Sequence, residues 1–209
     1  MLHPFILTET QEALVKLTVA ALLFAACAIS ALGQAQTSTP PSSAATTTAA
    51  QNATPVKDPV TTALRMMLSI RQKNILSAID AMPAEKFSYK PTADQMTFGH
   101  LVVHIIESND NFCAKAADVP APKAEEVKDT DSKDKLAAAA KTSFDFCADA
   151  LGKMTDAKLG DSVELFGGKQ YPRATAALVV ASAWADHYGT AAMYLRLNNI
   201  LPPSAQPKK

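Results

Sequence analysis

Apolar residues recur at helical spacing in four separate stretches of the chain. In the first stretch they repeat at intervals of three, four and seven, at Leu64, Leu68, Ile75, Ile79 and Met82. This spacing places them on one side of an α-helix that ends before Pro83. Asp58 followed by Pro59 predicts the helix start, because Asp is a good N-cap acceptor and Pro suits the first helical position.

The same periodicity predicts three more helices, at about 97–116, 132–154 and 172–199. Thr97 is the expected N-cap of the second helix, and Pro172 opens the fourth. Breaker-rich connections separate the helices, and only 162–166 could be locally extended. Four helices joined by loops predict an all-α four-helix bundle, in the simplest case with an up-and-down course.

Ahead of the bundle, the chain has the layout of a secretory signal. Lys16 precedes an unbroken apolar run at 17–31, which is shorter than the ~20 residues that a membrane span needs. Small residues at Ala31 and Gly33 predict cleavage after Gly33, with Ala35 as the other choice. Acylation of Cys27, in a sequence that loosely resembles a lipoprotein box, and retention as an N-terminal anchor are the alternatives.

Composition divides the chain into four parts. Residues 1–33 are the expected signal peptide, and 34–57, rich in Ser, Thr, Ala and Pro, are expected to be a disordered linker. The bundle takes 58–203, and 204–209 is expected to be a disordered tail. We therefore expect an exported protein, periplasmic or extracellular, with no transmembrane span in its mature form.

Charge and motifs narrow the function. Lys+Arg and Asp+Glu both number 20, so no basic excess points to a nucleic-acid partner. The chain has no CxxC, HExxH, P-loop, GxGxxG or GxSxG motif. Any chemistry must come from side chains that packing brings together.

The histidines of the domain are the main candidates for chemistry. His187 lies within an apolar stripe of the fourth helix, with Ala183 and Ala191 one turn away on either side. It is either a core histidine bonded to a neighbour or a ligand-binding or catalytic group. On the second helix a polar stripe is either a solvent-facing side or a metal-chelating pair with i, i+4 spacing, and it consists of His100, His104, Glu107 and Asn111.

Cys113 and Cys147 remain after cleavage and fall near the apolar sides of the second and third helices. In an oxidising compartment two cysteines predict a disulfide, with two buried free thiols as the alternative. An antiparallel helix pair would bring the two cysteines level only if the third helix started well below the loop.

Two segments resemble DinB-like proteins. FSYKPTADQMTFGHLVVHIIESNDNFC, at 87–113, is similar to the segment that leads into the second helix of that family, and DHYGTAAMYLRLNNILPP, at 186–203, is similar to the end of its fourth helix. The resemblance spans most of 58–203. It implies a four-helix bundle with an up-down-down-up course.

The resemblance also implies a metal site, since many members hold a divalent metal such as Zn or Ni with one His on the second helix and two on the fourth. His104 matches the first of these ligands and His187 the last, whereas the middle one falls on Ala183, which cannot bind metal. His100 is the candidate to complete the set, because its stripe coincides with that of His104. Glu107 would then orient the site or act as a base.

Two main classes of function remain open, and a partner-binding module at the cell envelope is a third alternative. In the first, the domain binds a small ligand or has no activity, and His104 and His187 are pocket residues. In the second, it is a metal-dependent hydrolase or thiol transferase in which the metal activates water or a thiol. Alanine-rich helix faces leave a homodimer open.

Overall fold

The computed structural model describes residues 55–123 and 126–207. The expected signal peptide, the alternatives for Cys27 and the linker up to residue 54 lie outside these residues. The described part holds four long helices: α1 (Pro59–Ala81), α2 (Phe98–Ala117), α3 (Lys133–Gly152) and α4 (Arg173–Leu197). The predicted all-α four-helix bundle is confirmed, and each predicted helix end lies within two residues of the observed one.

Helices α2 and α3 run parallel, although they are consecutive in the chain. Asn109 on α2 bonds to Ser143 on α3, and one turn later on both helices Cys113 joins Cys147. From the first contact to the second, the residue number rises by four on both helices, which is possible only when the helices run parallel. The two cysteines are therefore level because the connection between the helices returns the chain to the same end of the bundle.

The remaining contacts give the bundle its course. α4 runs antiparallel to α2, because Tyr194 near its end bonds to Met96 just before α2, while Arg173 at its start bonds to Asp118 just after α2. α1 runs antiparallel to α3, and it packs against α3 and α4. This is the up-down-down-up arrangement, not the simple meander.

The core lies along the axis of the bundle and takes side chains from all four helices. Its largest members, each under 2% exposed, include Ile75, Ile79, Phe98, Leu101, Ile105, Leu136, Phe144, Leu151, Trp184, Tyr194 and Leu195. Burial of such side chains is the main source of bundle stability. Among the described residues, no helix has the length and apolar character needed to cross a membrane.

The first turn of α1 is capped by a distant residue. Thr97 and Ser132 cap α2 and α3 with their own side chains. Asp58 instead has a positive φ of 50° and makes no side-chain cap bond to α1. The Asp156 carboxylate accepts from the N–H groups of Val60 and Thr61, while Asp58 accepts from the N–H of Asp156. Asp156 therefore caps α1 in place of Asp58, and the Asp58 side chain instead accepts from the backbone of Asp156.

A short antiparallel hairpin, β1 (Ser162–Leu165) and β2 (Lys169–Pro172), precedes α4. The sequence indicates extended backbone only at 162–166; β2 is too short and polar for a recognisable alternation. Three 3-10 turns complete the described fold, at Ala84–Lys86, Asp156–Lys158 and Pro203–Ala205. In the last of these, the N–H of Ser204 donates to the Tyr188 hydroxyl, so part of the stretch assigned to the tail packs on α4.

Candidate functional site

The antiparallel packing of α2 on α4 brings two of the candidate histidines together. The ring centroids of His104 and His187 lie 5.0 Å apart, with the ring planes at 74° to each other. His187 is buried, whereas His104 is exposed to solvent. Among the described residues, the buried Nδ1 of His187 has no hydrogen-bond partner. We refer to these two side chains as the histidine pair.

Burial sets the protonation of the inner ring. Loss of solvent is the main cause that lowers the pKa of His187 to about 4; the nearby His104 adds to the shift, and the Asp186 carboxylate opposes it in part. His187 is therefore neutral at pH 7. A neutral imidazole has one nitrogen that donates a hydrogen bond and one that accepts, so the ring can meet either kind of ligand atom.

The other predicted site residues lie elsewhere on the surface of α2. His100 has a side chain that is 56% exposed, and its Nδ1 lies 3.9 Å from a carboxylate oxygen of Asp129. Glu107 follows His104 by three residues, and its side chain is exposed to solvent. Within 55–123 and 126–207, no group of three or more His, Cys, Asp or Glu side chains is placed to hold a metal ion. The structure thus brings together two of the three predicted ligands.

A buried polar cluster lies next to the histidine pair and was not predicted from the sequence. The side-chain amide of Asn109 donates to the Ser143 hydroxyl at 3.1 Å, and its oxygen accepts from the Trp184 indole N–H at 2.7 Å. Asn109 and Trp184 are fully buried. We call these three residues the buried bridge, because they join α2, α3 and α4.

Two signals in the sequence point to the buried bridge in hindsight. Trp184 lies in the apolar stripe of α4, and a buried indole N–H usually has an acceptor. Asn109 lies one turn after Ile105, on the apolar side of α2. The sequence positions of Asn109 and Trp184 do not identify their hydrogen-bond partners, because the pairing depends on how three helices are aligned along the bundle.

One turn beyond the bridge, Cys113 and Cys147 form a disulfide. Their Sγ atoms lie 1.96 Å apart and their Cα atoms 5.3 Å apart, and both residues are fully buried. The bond links the parallel helices α2 and α3 across 34 positions of sequence. It fixes the alignment on which the bridge depends.

Comparison with known proteins identifies the family. The family model of the DinB superfamily matches residues 67–191, which is more than half of the chain. This chain belongs to the DinB superfamily. The predicted family is therefore confirmed. No curated protein matches the chain.

Solved structures of DinB-like proteins share the fold. A DinB-like protein from Bacillus subtilis superposes with a TM-score of 0.57 at 20% identity, covering 69% of this chain and 99% of its own. A DinB-like protein from Bacillus cereus ATCC 10987 superposes with a TM-score of 0.56 at 17% identity, covering 67% and 93%. At such low identity these likenesses concern the DinB fold and not the activity.

Proposed function

We propose that this DinB-superfamily protein is an exported helical domain that binds a small ligand at the histidine pair and does not build a three-histidine metal centre. The observation that carries the proposal is the contact between His104 and His187, with ring centroids 5.0 Å apart. One ring is open to solvent and the other is buried behind it, so an incoming molecule meets His104 first and His187 next.

The surroundings of the pair favour a ligand over a purely structural role. A buried histidine of the core is expected to have partners for both nitrogens. Nδ1 of His187 has none among the described residues. Ala183, one turn earlier on α4, has a side chain of a single methyl group. A small molecule with hydrogen-bonding groups fits this combination.

A divalent-metal-dependent hydrolase or thiol transferase is the second candidate, because two rings this close could both reach one cation. A catalytic zinc site normally has three protein ligands. Of the described histidines, His104 and His187 lie together and His100 lies apart from them, and Ala183 is at the position of the remaining ligand of the family pattern. The donor set therefore falls short of that centre, and we derive no reaction step through a metal.

One experiment separates the two candidates. The mature protein, purified without chelators, is analysed for bound metal and titrated with Zn²⁺ and Ni²⁺. A library of small carboxylates, amides and phosphates is then screened by ligand-observed NMR. His104→Ala and His187→Ala test the pair, and His100→Ala is the matched control on the same helix.

We expect ligands that bind the wild type and the His100→Ala control but neither variant of the pair. Stoichiometric metal that is lost in both pair variants would overturn the proposal in favour of the metal-dependent candidate. A screen with no bound molecule and no metal would overturn both.

Export is supported by the sequence and is consistent with the disulfide. The run at 17–31 after Lys16 has signal-peptide character, and disulfides persist mainly in oxidising compartments. Expression in a bacterial host, fractionation and mass measurement test this proposal, with Leu22→Lys as the control that breaks the apolar run. A mature chain beginning at Gln34 is expected, whereas an intact chain in the cytoplasm would contradict export.

A further inference from the structure

A second candidate site lies on another side of α2. A cavity of about 410 Å³ opens between α2, α3 and the residues Pro122, Lys123 and Val127. Its lining includes Ile106, Asp110, Lys123, Val127, Lys135 and Thr142. Asp110 comes six residues after His104, which places it about 120° around the helix from the histidine pair. We call this space the Asp110 cavity.

One oxygen of the Asp110 carboxyl group, Oδ1, is buried without a hydrogen-bond partner among the described residues. Burial raises the pKa of Asp110 to about 6, so the group is still largely ionised at pH 7. The adjacent Asn109, by contrast, has partners for both ends of its amide. Unpaired polar groups of this kind are uncommon in folded proteins and often mark functional sites.

The rest of the lining indicates what kind of molecule would satisfy Asp110. The ammonium groups of Lys123 and Lys135 carry the opposite charge, and Lys135 also pairs with Asp131 at 3.1 Å. Ile106 and Val127 contribute apolar surface. A molecule with an ammonium group, a carboxylate and an apolar body would match all three features. The volume falls in the range of ordinary small-molecule sites.

We propose that the Asp110 cavity binds an apolar amino acid, with the ligand ammonium on the Asp110 carboxylate and the ligand carboxylate near Lys123 and Lys135. A charge-assisted hydrogen bond from the ligand then gives Asp110 a partner. The two lysines disfavour a simple amine, because a cation without a carboxylate would be repelled by them. The apolar walls disfavour a small, fully polar zwitterion. This site is independent of the histidine pair.

Isothermal titration with three matched molecules tests the proposal. L-leucine has both charged groups, L-leucine amide lacks the carboxylate, and 4-methylpentanoate lacks the ammonium. We expect L-leucine to bind the wild type at least about tenfold more tightly than either analogue. Asp110→Asn should weaken leucine binding by about tenfold or more.

Two further variants keep the test decisive. Asp145→Asn changes an exposed acid on α3, outside the cavity, and should leave binding unchanged. Ala138→Leu places a larger side chain in the cavity wall and should abolish binding while the histidines stay intact. Thermal unfolding of each variant verifies that it is folded.

Three results would overturn the proposal. The first is no heat from L-leucine up to about 10 mM with the wild type. The second is equal leucine binding by the wild type and the folded Asp110→Asn variant. The third is binding of 4-methylpentanoate as tight as that of leucine, which would show an anion site that does not use Asp110.

Discussion

The buried bridge and the histidine pair lie about one turn apart along the interface between α2 and α4. They differ in whether their buried polar atoms have hydrogen-bond partners. In the bridge, the Asn109 amide and the Trp184 indole are fully buried and hydrogen-bonded. In the pair, His187 is buried with one nitrogen unpartnered, and His104 faces solvent. Both places join α2 to α4 through side chains of similar polarity.

The difference matches a structural role for the bridge and the ligand-binding role that we propose for the pair. A fully bonded buried network holds helices in one alignment and leaves little for a ligand to bind. An unpartnered buried atom costs free energy that a ligand can recover. Variants that remove the bridge should therefore lower stability, whereas variants of the pair should mainly change binding and the response to pH.

The largest expected effect comes from breaking the cross-link next to the bridge. The Cys113–Cys147 bond closes a loop of 34 positions, and loss of such a cross-link costs about 3 to 4 kcal/mol of unfolding free energy. Chemical denaturation with and without reductant measures it, with the Cys113→Ala/Cys147→Ala double variant as a check. A change below about 1 kcal/mol would show that the fold holds the bridge aligned without the disulfide.

Removal of the central amide of the bridge should come next. Asn109→Ala deletes two buried hydrogen bonds, leaves the Trp184 N–H without its acceptor and opens a small cavity. We expect a loss of about 3 kcal/mol in the free energy of unfolding, measured by urea denaturation. The control is Asn111→Ala, an exposed asparagine on the same helix, which should change stability by less than about 0.5 kcal/mol. Similar losses in both variants would remove the distinction.

The histidine pair should appear in the pH dependence of stability. The pKa of His187 is about 4 in the fold and 6.5 in its ordinary state, so between these values only the unfolded chain takes up the proton. Stability should fall as pH drops from 6.5 towards 4, by on the order of 2 to 3 kcal/mol. His187→Gln should flatten this slope in urea titrations, and an unchanged slope would contradict the assignment.

Asp110 acts in the opposite direction over part of that range. Its pKa is raised from 3.8 to about 6, so the unfolded chain loses the proton first and stability falls as pH rises through this interval. The His187 measurement is therefore best made in an Asp110→Asn background, where the slope should be steeper than in the wild type. An unchanged slope there would show that burial of Asp110 has little effect on its ionisation.

The smallest effect should come from the outer member of the bridge. Ser143→Ala removes the acceptor for the Asn109 amide N–H and should cost about 1 kcal/mol of unfolding free energy. The Ser143 hydroxyl itself donates to the carbonyl of Ala140. Ser182→Ala is the control, because the Ser182 hydroxyl makes the same kind of bond to Val179 but is exposed. Equal losses for the two serines would mean that the local helix bond, not the bridge, carries the effect.

Much of the fold could be predicted from periodicity, because apolar spacing and capping residues are local properties. Thr97 at the start of α2, the prolines on either side of α1 and Pro172 before α4 locate these helix ends within two residues. The parallel course of α2 and α3 is not local, and spacing alone suggested a meander. The family resemblance supplied the up-down-down-up course, which is confirmed. The positions of Cys113 and Cys147 agree with it, since two cysteines late in consecutive helices lie at the same height when those helices are parallel.

The candidate site was predictable only in part. The contact between His104 and His187 was expected because the family resemblance places both histidines at matching positions. His100 was included because it lies on the same side of α2 as His104. Helix spacing could not show that its ring lies beside Asp129, one turn away from the histidine pair. Asp110 gave no signal, because a single acid on a helix is ordinary until the connection from α2 to α3 covers it.

The shared aspartates at the start of α1 have a consequence for the order of assembly. The carboxylate that caps this first turn belongs to a residue about a hundred positions further along the chain. During synthesis from the amino terminus, the opening turn of the bundle has no cap until its third helix has been completed. The start of α1 therefore reaches its final hydrogen bonding only after the chain has been made as far as Asp156.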